Sequence, residues 1–180
     1  MWRLKFESRE DWMSLILSIS YIAAAGVAAH FIGEALPRRR FDPRRFPFAP
    51  WPWEKSGRLY RALRVRAWKN KLPDMSRVAP DMVRKSVSLT GSAAAAERVA
   101  VETCVAEAVH WALMLLSFVI YLLYSQPPGA ALAVLYGLSH VPFIIIQRYN
   151  RPTLTTLAER LKQREERIKH AHTDPLGQHR

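Results

Sequence analysis

The chain has 180 residues, with 27 Lys or Arg against 15 Asp or Glu, a net charge of +12. This length allows one compact domain and excludes a large multi-domain enzyme. The charge first suggests a nucleic-acid-binding protein, but none of the 39 residues Ala108–Ile146 is charged, nor is any residue of Met13–Gly33. Because so short a chain could not cover these runs in water, the composition indicates a membrane protein with no nucleic-acid partner.

The apolar run Met13–Gly33 predicts a first transmembrane helix, placed at residues 13–36. About 20 helical residues cross a hydrocarbon core of ~30 Å. A secretory signal peptide is the alternative, and the alanines at 23–25 and 28–29 leave room for cleavage. The length of the run and the three arginines at 38–40 favour a retained span.

Residues 37–97 are predicted to form a basic loop at the cytoplasmic face. Prolines alternate with aromatic residues over 46–53, which excludes a long helix there and is typical of an extended segment at the lipid headgroups. From Glu54 to Lys71, leucines and Trp68 share one side among arginines, which predicts a basic amphipathic helix on an anionic membrane surface. Asp81–Thr90 is predicted as a short further helix.

A long helix is predicted from near Ser92 to about Ser125, with residues 98–125 as the second span. Gln126–Gly129 contains two prolines and a glycine and predicts a turn, after which residues 130–147 form the third span. Two spans joined by so short a turn form a helical hairpin.

Pro152 is expected to end the third span, so that Thr153–His170 becomes a separate amphipathic helix in a basic tail, residues 148–180. The predicted fold is therefore an all-α integral membrane protein with three transmembrane helices in a single membrane domain, residues 1–180. One N-terminal span precedes the helical hairpin.

The charges of the loops predict the orientation of the chain. Residues 37–98 hold 16 basic and 5 acidic residues, the tail from Arg148 holds 8 and 4, and the first twelve residues are neutral. Because basic loops remain in the cytoplasm, the N-terminus and the Gln126–Gly129 turn are predicted outside the cell membrane, with the central loop and the C-terminus inside.

Glu102, Glu107 and His110 enter the second span on one helix face, about 60–80° apart. Ionisable groups at membrane depth are candidates for function, and a histidine one turn from a carboxylate can act as a general base. Sharing a face with carboxylates at the membrane boundary is the reason for preferring His110 over the other histidines. Interfacial snorkelling and structural pairing with arginines are one alternative. A di-iron type of metal site is another, although it needs a second Glu-x-x-His motif and two further glutamates from other helices.

Arg148, Tyr149, Asn150 and Arg151 follow the third span and present planar and forked donors where a phosphate, a carboxylate or a sugar headgroup would lie. Retention of positive charge on the inner side is the alternative explanation. The run from Trp68 through Lys69 and Lys71 to Asp74 is predicted to contact substrate. Its charge alone would also fit a patch that binds lipid headgroups, although Asp74 is one of only five acidic residues in the basic loop.

Three blocks of the sequence resemble the glycosyl-4,4'-diaponeurosporenoate acyltransferase family. They are Val65–Asp74, Glu102 to Trp111, and Val141–Pro152, and the resemblance extends over roughly residues 53–167. It implies that a fatty acyl chain is esterified onto the sugar of a glycosylated C30 carotenoid acid, the final step of staphyloxanthin-type carotenoid synthesis. The chain departs from the family pattern at His140, where Asn is expected, and at Thr153, where a basic residue is expected.

Such a reaction needs a base for the sugar hydroxyl and donors for the developing oxyanion. His110 with Glu107 or Glu102 can supply the base, and Arg148, Asn150 or Lys69 the donors. The predicted substrate-binding residues are Trp68, Lys69, Lys71, Asp74, Trp111, Arg148, Tyr149, Asn150 and Arg151. The sequence contains no Gly-x-Ser-x-Gly elbow and no His-x4-Asp pair, which favours direct transfer over a covalent acyl-enzyme.

The expected partners are the lipid bilayer with its anionic headgroups, an acyl donor, and a glycosylated carotenoid or other glycolipid acceptor. No cofactor and no metal are predicted. The rival hypothesis is a non-catalytic membrane module that binds anionic lipid or scaffolds a partner enzyme, for which the basic loop and the hairpin would suffice.

Overall fold

The computed structural model describes residues 9–54, 57–72 and 91–173. Within these ranges the regular secondary structure is entirely helical, which confirms the predicted all-α class. Two short 3-10 helices cover Arg38–Arg40 and Lys69–Lys71. The α-helices in chain order are α1 (Arg9–Ala35), α2 (Arg58–Ala62), α3 (Val65–Trp68), α4 (Ala93–Leu116), α5 (Phe118–Leu123), α6 (Pro127–Ser139) and α7 (Val141–Thr173).

Three helical stretches of the described chain are long and apolar enough to cross a membrane, namely Arg9–Ala35, Ala93–Leu123 and Pro127–His170. They correspond to the three predicted spans. Their surfaces carry large apolar side chains that are more than half exposed, among them Phe31, Leu115 and Leu135. Such a surface is costly in water and favourable in lipid.

The chain forms two compact units. The apolar unit contains the chain up to Pro37 together with Val105–Ile145, and the basic unit contains Arg38–Cys104 together with the chain from Ile146. Each unit includes part of α4 and part of α7.

In the apolar unit, a break at Ser117 separates α4 from α5. Ile120 N–H bonds to the carbonyl of Ser117 instead of that of Leu116, and the Leu116 carbonyl accepts a hydrogen bond from the Tyr21 hydroxyl of α1 at 3.0 Å. The break therefore supplies a polar contact between the apolar stretches of α1 and α4.

The predicted hairpin is formed by α5 and α6, which pack against each other. The prediction that Gln126–Gly129 forms the turn is wrong, because Gln126 is the N-cap residue and both prolines lie in the first turn of α6. Proline is tolerated there because the first helical N–H groups have no partner within the helix. A Cβ atom at Gly129 would collide with the carbonyl oxygen of Tyr124, so this close reversal requires glycine.

The basic unit is held by contacts between its part of α4 and distant residues. The predicted start near Ser92 is confirmed, since its hydroxyl accepts a hydrogen bond from Ala95 N–H at 3.2 Å, as an N-cap residue does. The Glu165 carboxylate of α7 accepts another from Ala93 N–H at 2.9 Å. Ala96 and Ala100 are fully buried on one face of α4.

The predicted amphipathic helix over Glu54–Lys71 is not continuous. Gly57 and Arg64 both adopt left-handed backbone conformations, with φ of 64° and 49°, so the segment folds into α2, α3 and a 3-10 turn. The prediction is wrong because the arginine-rich pattern does not indicate the left-handed conformation of Arg64. The residue after it, Val65, is completely buried.

The prediction that Pro152 ends the third helix is also wrong, because α7 continues through it to Thr173. Proline removes one helical hydrogen bond. Here Arg148 and Arg151, within one turn before it, anchor the helix to the basic unit. Asp74 and the predicted helix Asp81–Thr90 lie outside the described residues.

Candidate active site

His110 lies in the apolar unit, where its ring contacts two residues from the junction of α6 and α7. Its Nδ1 is 3.2 Å from Nδ1 of His140, and its ring stacks on Phe143 with centroids 4.8 Å apart and planes 12° apart. One of the two facing nitrogens must carry a hydrogen and donate it to the other, so each imidazole sets the tautomer of its neighbour.

The two carboxylates predicted to assist His110 have different surroundings. Glu107 is only 2% exposed in the apolar unit, and its carboxylate accepts a hydrogen bond from the Trp111 indole N–H at 3.3 Å. Glu102 lies in the basic unit, where Arg38 donates to both of its carboxylate oxygens at 2.9 and 3.0 Å. For Glu102, the structure thus contains the arginine pairing that was the alternative to catalysis.

The histidine partner of His110 was missed by sequence reasoning. His140 is 30 residues away and has no acidic neighbour one turn along its helix, so no local spacing pointed to it. His110 is also not alone in having a carboxylate one turn away, because His30 has Glu34 one turn along its helix, with Nε2 and Oε1 3.6 Å apart. Contact with a second imidazole, rather than spacing to a carboxylate, distinguishes His110.

Arg148 is the centre of a buried ion pair in the basic unit. It is 6% exposed, and its Nε and Nη2 donate to the two oxygens of Glu54 at 2.7 and 2.6 Å. Arg148 also donates hydrogen bonds to the carbonyls of Pro47 and Ala49, and its guanidinium lies 4.0 Å from the ring centroid of Trp51. Arg148 thereby holds the Pro- and Trp-rich segment of the central loop.

Arg151 makes a second buried anchor one turn further along α7. It is 1% exposed and donates to the Thr103 hydroxyl at 2.9 Å, to the Thr103 carbonyl at 3.0 Å and to the Phe48 carbonyl at 2.6 Å. Both arginines therefore donate hydrogen bonds to protein groups, whereas the sequence had suggested that these donors contact a substrate.

The structure brings together three predicted substrate-binding residues, Lys69, Tyr149 and Asn150. The Lys69 ammonium donates to Asn150 Oδ1 at 2.9 Å and lies 4.8 Å from the centroid of the Tyr149 ring. Tyr149 in turn meets Tyr60 edge to face at 5.6 Å. Two other predicted residues of the run from Trp68 to Asp74 are described. Trp68 donates its indole N–H to the Leu63 carbonyl, and Lys71 is exposed.

A cavity of about 790 Å³ opens in the basic unit beside this cluster. Tyr60, Tyr149 and Ala67 contribute to its walls, together with the Glu54–Arg148 pair. Three exposed arginines also line it, namely Arg61, Arg64 and Arg66. Tyr60 and these arginines were not among the predicted site residues. The sequence predicted one continuous surface helix for the segment that contains these four residues. Only the break in the helix at Arg64 shows that they line the same cavity.

Ionisation in the basic unit follows from its hydrogen bonds. Burial raises the pKa of Glu54, but hydrogen bonds from Arg148, Tyr60 and the Trp51 backbone N–H outweigh this and leave its pKa below the ordinary value. Burial and the hydrogen bond to Glu54, 2.5 Å long, raise the pKa of Tyr60. Burial and the nearby Arg66 lower the pKa of Lys69. Glu54 is therefore charged and Tyr60 neutral near pH 7.

Among the described residues, no group of three or more His, Cys, Asp and Glu side chains could hold a metal ion. What the two units offer is a paired imidazole that can exchange a proton and, separately, a cationic cavity with aromatic walls. Those groups suit proton transfer and recognition of an anionic or polar headgroup.

Comparisons with known proteins identify one family to which the chain is similar. A family model described as glycosyl-4,4'-diaponeurosporenoate acyltransferase matches residues 37–160. Proteins of that name from Staphylococcus aureus strains bovine RF122 / ET3-1, MRSA252 and USA300 are each 30% identical to the chain over 140 residues, covering 76% of the chain and 82% of the relative. No solved structure matches. These matches favour an acyltransferase over the non-catalytic membrane module, and the chain belongs to the glycosyl-4,4'-diaponeurosporenoate acyltransferase family.

Proposed function

We propose that this acyltransferase is embedded in the cell membrane and moves a fatty acyl chain onto a hydroxyl of a glycosylated carotenoid or a similar lipid-linked sugar. The names of the relatives support the acceptor class, since they describe acyltransferases that act on a glycosyl-diaponeurosporenoate. The three helical stretches that are long enough to span a bilayer support the location. Both substrates would carry long apolar chains, which are soluble in the same membrane.

The hydrogen bond between His110 and His140 carries the catalytic part of this proposal. If His110 donates its Nδ1 hydrogen to His140, the lone pair on Nε2 of His110 is left to accept a proton. The acceptor hydroxyl oxygen then attacks the acyl carbonyl carbon while His110 removes its proton. The bond from the acyl carbon to the leaving group breaks, and His110 returns the proton to that group. Glu107, buried one turn before His110, stabilises the transient imidazolium.

The contacts in the basic unit lead to a different division of the predicted binding residues. Arg148 and Arg151 serve as positioning residues, because they bond to Glu54, to Thr103 and to loop carbonyls. Lys69, Tyr149 and Asn150 remain the proposed contacts to polar parts of a substrate. Glu102 is assigned a structural role through its ion pair with Arg38.

The test is ester formation in cells that supply a glycosylated carotenoid acid, followed by mass spectrometry of extracted pigment. Cells with the chain should contain the acylated product, and cells without it only the unacylated glycoside. Loss of general-base assistance is typically worth ~10²–10⁴ in rate, so His110→Ala should abolish most product.

His30→Ala is the matched control, because His30 is also a helical histidine with a carboxylate one turn away. It should form ester at the wild-type level when protein amounts are equal. Near-normal product from His110→Ala would reject the base assignment, and absence of any acylated glycolipid with the wild-type chain would reject the proposed acceptor class.

A further inference from the structure

We propose that the cavity of the basic unit binds the phosphate groups of the acyl donor, through Arg61, Arg64 and Arg66. This inference rests on the proposed function, which requires an activated acyl donor and leaves its nature open. The class of donor that fits is a thioester on a phosphate-bearing carrier, such as a coenzyme A thioester. The phosphates would be held by the arginines, and the acyl chain would extend away from them.

The charge of the cavity selects an anion. Its charged lining residues are four arginines and one carboxylate, and that carboxylate, Glu54, is bound by Arg148. Three positive charges therefore remain. The side chains of Arg61, Arg64 and Arg66 are exposed and make no hydrogen bond or ion pair with other described residues. A neutral sugar would not neutralise this positive charge, whereas phosphate is an anion whose oxygens accept hydrogen bonds from forked guanidinium donors.

The backbone places the three arginines around one cavity. In a continuous helix, Arg66 would point about 140° from Arg61 and about 160° from Arg64, so the three could not surround one ligand. The left-handed conformation of Arg64 interrupts the helix and brings all three to the same lining. A residue other than glycine is disfavoured in that conformation, yet the chain has an arginine there.

The walls of the cavity indicate a ligand larger than phosphate. Tyr60 and Tyr149 form an edge-to-face pair beside Ala67 and Pro152, which offers apolar and aromatic surface next to the arginines. A volume of about 790 Å³ lies within the range of small-molecule and cofactor sites, roughly 300–1,000 Å³. A flat patch for membrane headgroups would need charge alone.

Direct binding tests the inference independently of turnover. The full chain is placed in nanodiscs of phosphatidylcholine, and coenzyme A is titrated calorimetrically, with pantetheine as the analogue that lacks every phosphate. The variant Arg61→Gln, Arg64→Gln, Arg66→Gln is compared with a charge-matched variant of exposed arginines outside the cavity, Arg39→Gln, Arg40→Gln, Arg160→Gln.

We expect coenzyme A to bind and pantetheine to bind far more weakly. The cavity variant should lose affinity by about 1,000-fold, at roughly tenfold for each of the three charged hydrogen-bonding partners. The control variant should stay within about twofold. If circular dichroism shows that the triple variant is misfolded, the single variant Arg66→Gln replaces it in the titration. Arg66→Gln should raise the Kd of coenzyme A about tenfold. Equal binding of coenzyme A by the cavity and control variants, or equal binding of pantetheine and coenzyme A, would overturn the inference.

A lipid headgroup shares the phosphate chemistry, so the titration is repeated in nanodiscs containing phosphatidylglycerol. Retained coenzyme A binding supports a donor site. Displacement of coenzyme A by this lipid, with lipid binding that depends on Arg61, Arg64 and Arg66, would assign the cavity to a headgroup and overturn the donor assignment.

His110→Ala should bind coenzyme A normally. If wild type forms no ester but binds coenzyme A through the arginines, the proposed function fails and this inference stands.

Discussion

At the scale of single residues, His110 can act as a base through Nε2 only in the tautomer that carries its hydrogen on Nδ1 and donates it to His140. Nε2 of His140 is buried and has no hydrogen-bond partner in the part of the chain that the structure describes. When His110 donates through Nδ1, this nitrogen of His140 must carry an unpaired hydrogen, which costs about 1–3 kcal/mol. In the opposite tautomer the same nitrogen carries an unpaired lone pair instead. Because proteins tolerate a buried acceptor without a partner more often than a buried N–H without one, the base-competent tautomer is the more costly one.

This requirement predicts opposite results for two substitutions of His140. In His140→Asn, the side-chain oxygen can accept from Nδ1 of His110 without leaving a ring N–H unpaired, so ester formation should equal or exceed that of the wild type. His140→Ala removes the partner and should lower the rate about tenfold or more. Both are measured by ester yield at equal protein levels, and similar losses in the two variants would contradict the tautomer argument.

A second residue-scale prediction concerns the buried pair of Glu54 and Arg148. Glu54→Gln leaves the guanidinium without its counter-charge and should destabilise the protein by about 3–5 kcal/mol. Glu159→Gln is the control, since Glu159 forms an exposed ion pair in which its Oε1 lies 3.5 Å from Nε of Arg44. This substitution should lower the free energy of unfolding by less than about 1 kcal/mol. Thermal unfolding in detergent measures both, and equal costs would contradict the assigned role of Arg148.

The same pair predicts the direction of pH dependence. The pKa of Glu54 is lower in the folded protein than its ordinary value of 4.5, so the pair contributes stability that is fully present above about pH 4.5. That contribution is lost as the pH falls through the lowered pKa. The stability difference between the wild type and Glu54→Gln should therefore shrink on acidification, and a difference that grows would show the wrong sign.

At the scale of helices, close packing of the hairpin depends on one glycine. Gly129→Ala would place a methyl group against the backbone oxygen of Tyr124, and should destabilise the α5–α6 hairpin by about 1–3 kcal/mol or more, as overpacking does. Gly26→Ala in α1 meets no atom within 4 Å and should be neutral or stabilising by up to about 1 kcal/mol. Unfolding of the two variants under identical conditions makes the comparison.

At the scale of the whole molecule, the excess of basic residues in the central loop and the tail predicts their retention in the cytoplasm. In a background where Cys104 is replaced by Ala, a Gln126→Cys variant should react with a membrane-impermeant maleimide in intact cells. Gln126 suits the label because it is exposed, whereas Gly129 is tightly packed. Labelling that needs permeabilised cells would reverse the predicted orientation.

The sequence by itself determined the helical class, the three apolar stretches, the helix start at Ser92 and the family. These properties depend on local composition and on residue order along the chain. An uncharged run of 39 residues admits few structures in a chain of this size, and an N-cap serine acts on a backbone N–H three residues away. Lys69, Tyr149 and Asn150 were predicted as substrate contacts from unusual residues in recognisable blocks, and their role stays a prediction.

The tertiary structure alone decided which of these residues are partners. Glu54 and Arg148 are 94 positions apart, Arg151 and Thr103 are 48 apart, and His110 and His140 are 30 apart, so no helical spacing relates them. It also decided that Arg61, Arg64 and Arg66 share a cavity, because a single left-handed residue redirects the chain at Arg64. Burial of Val65 and the Glu54–Arg148 pair are properties of packing, and packing depends on chain segments that meet only after folding.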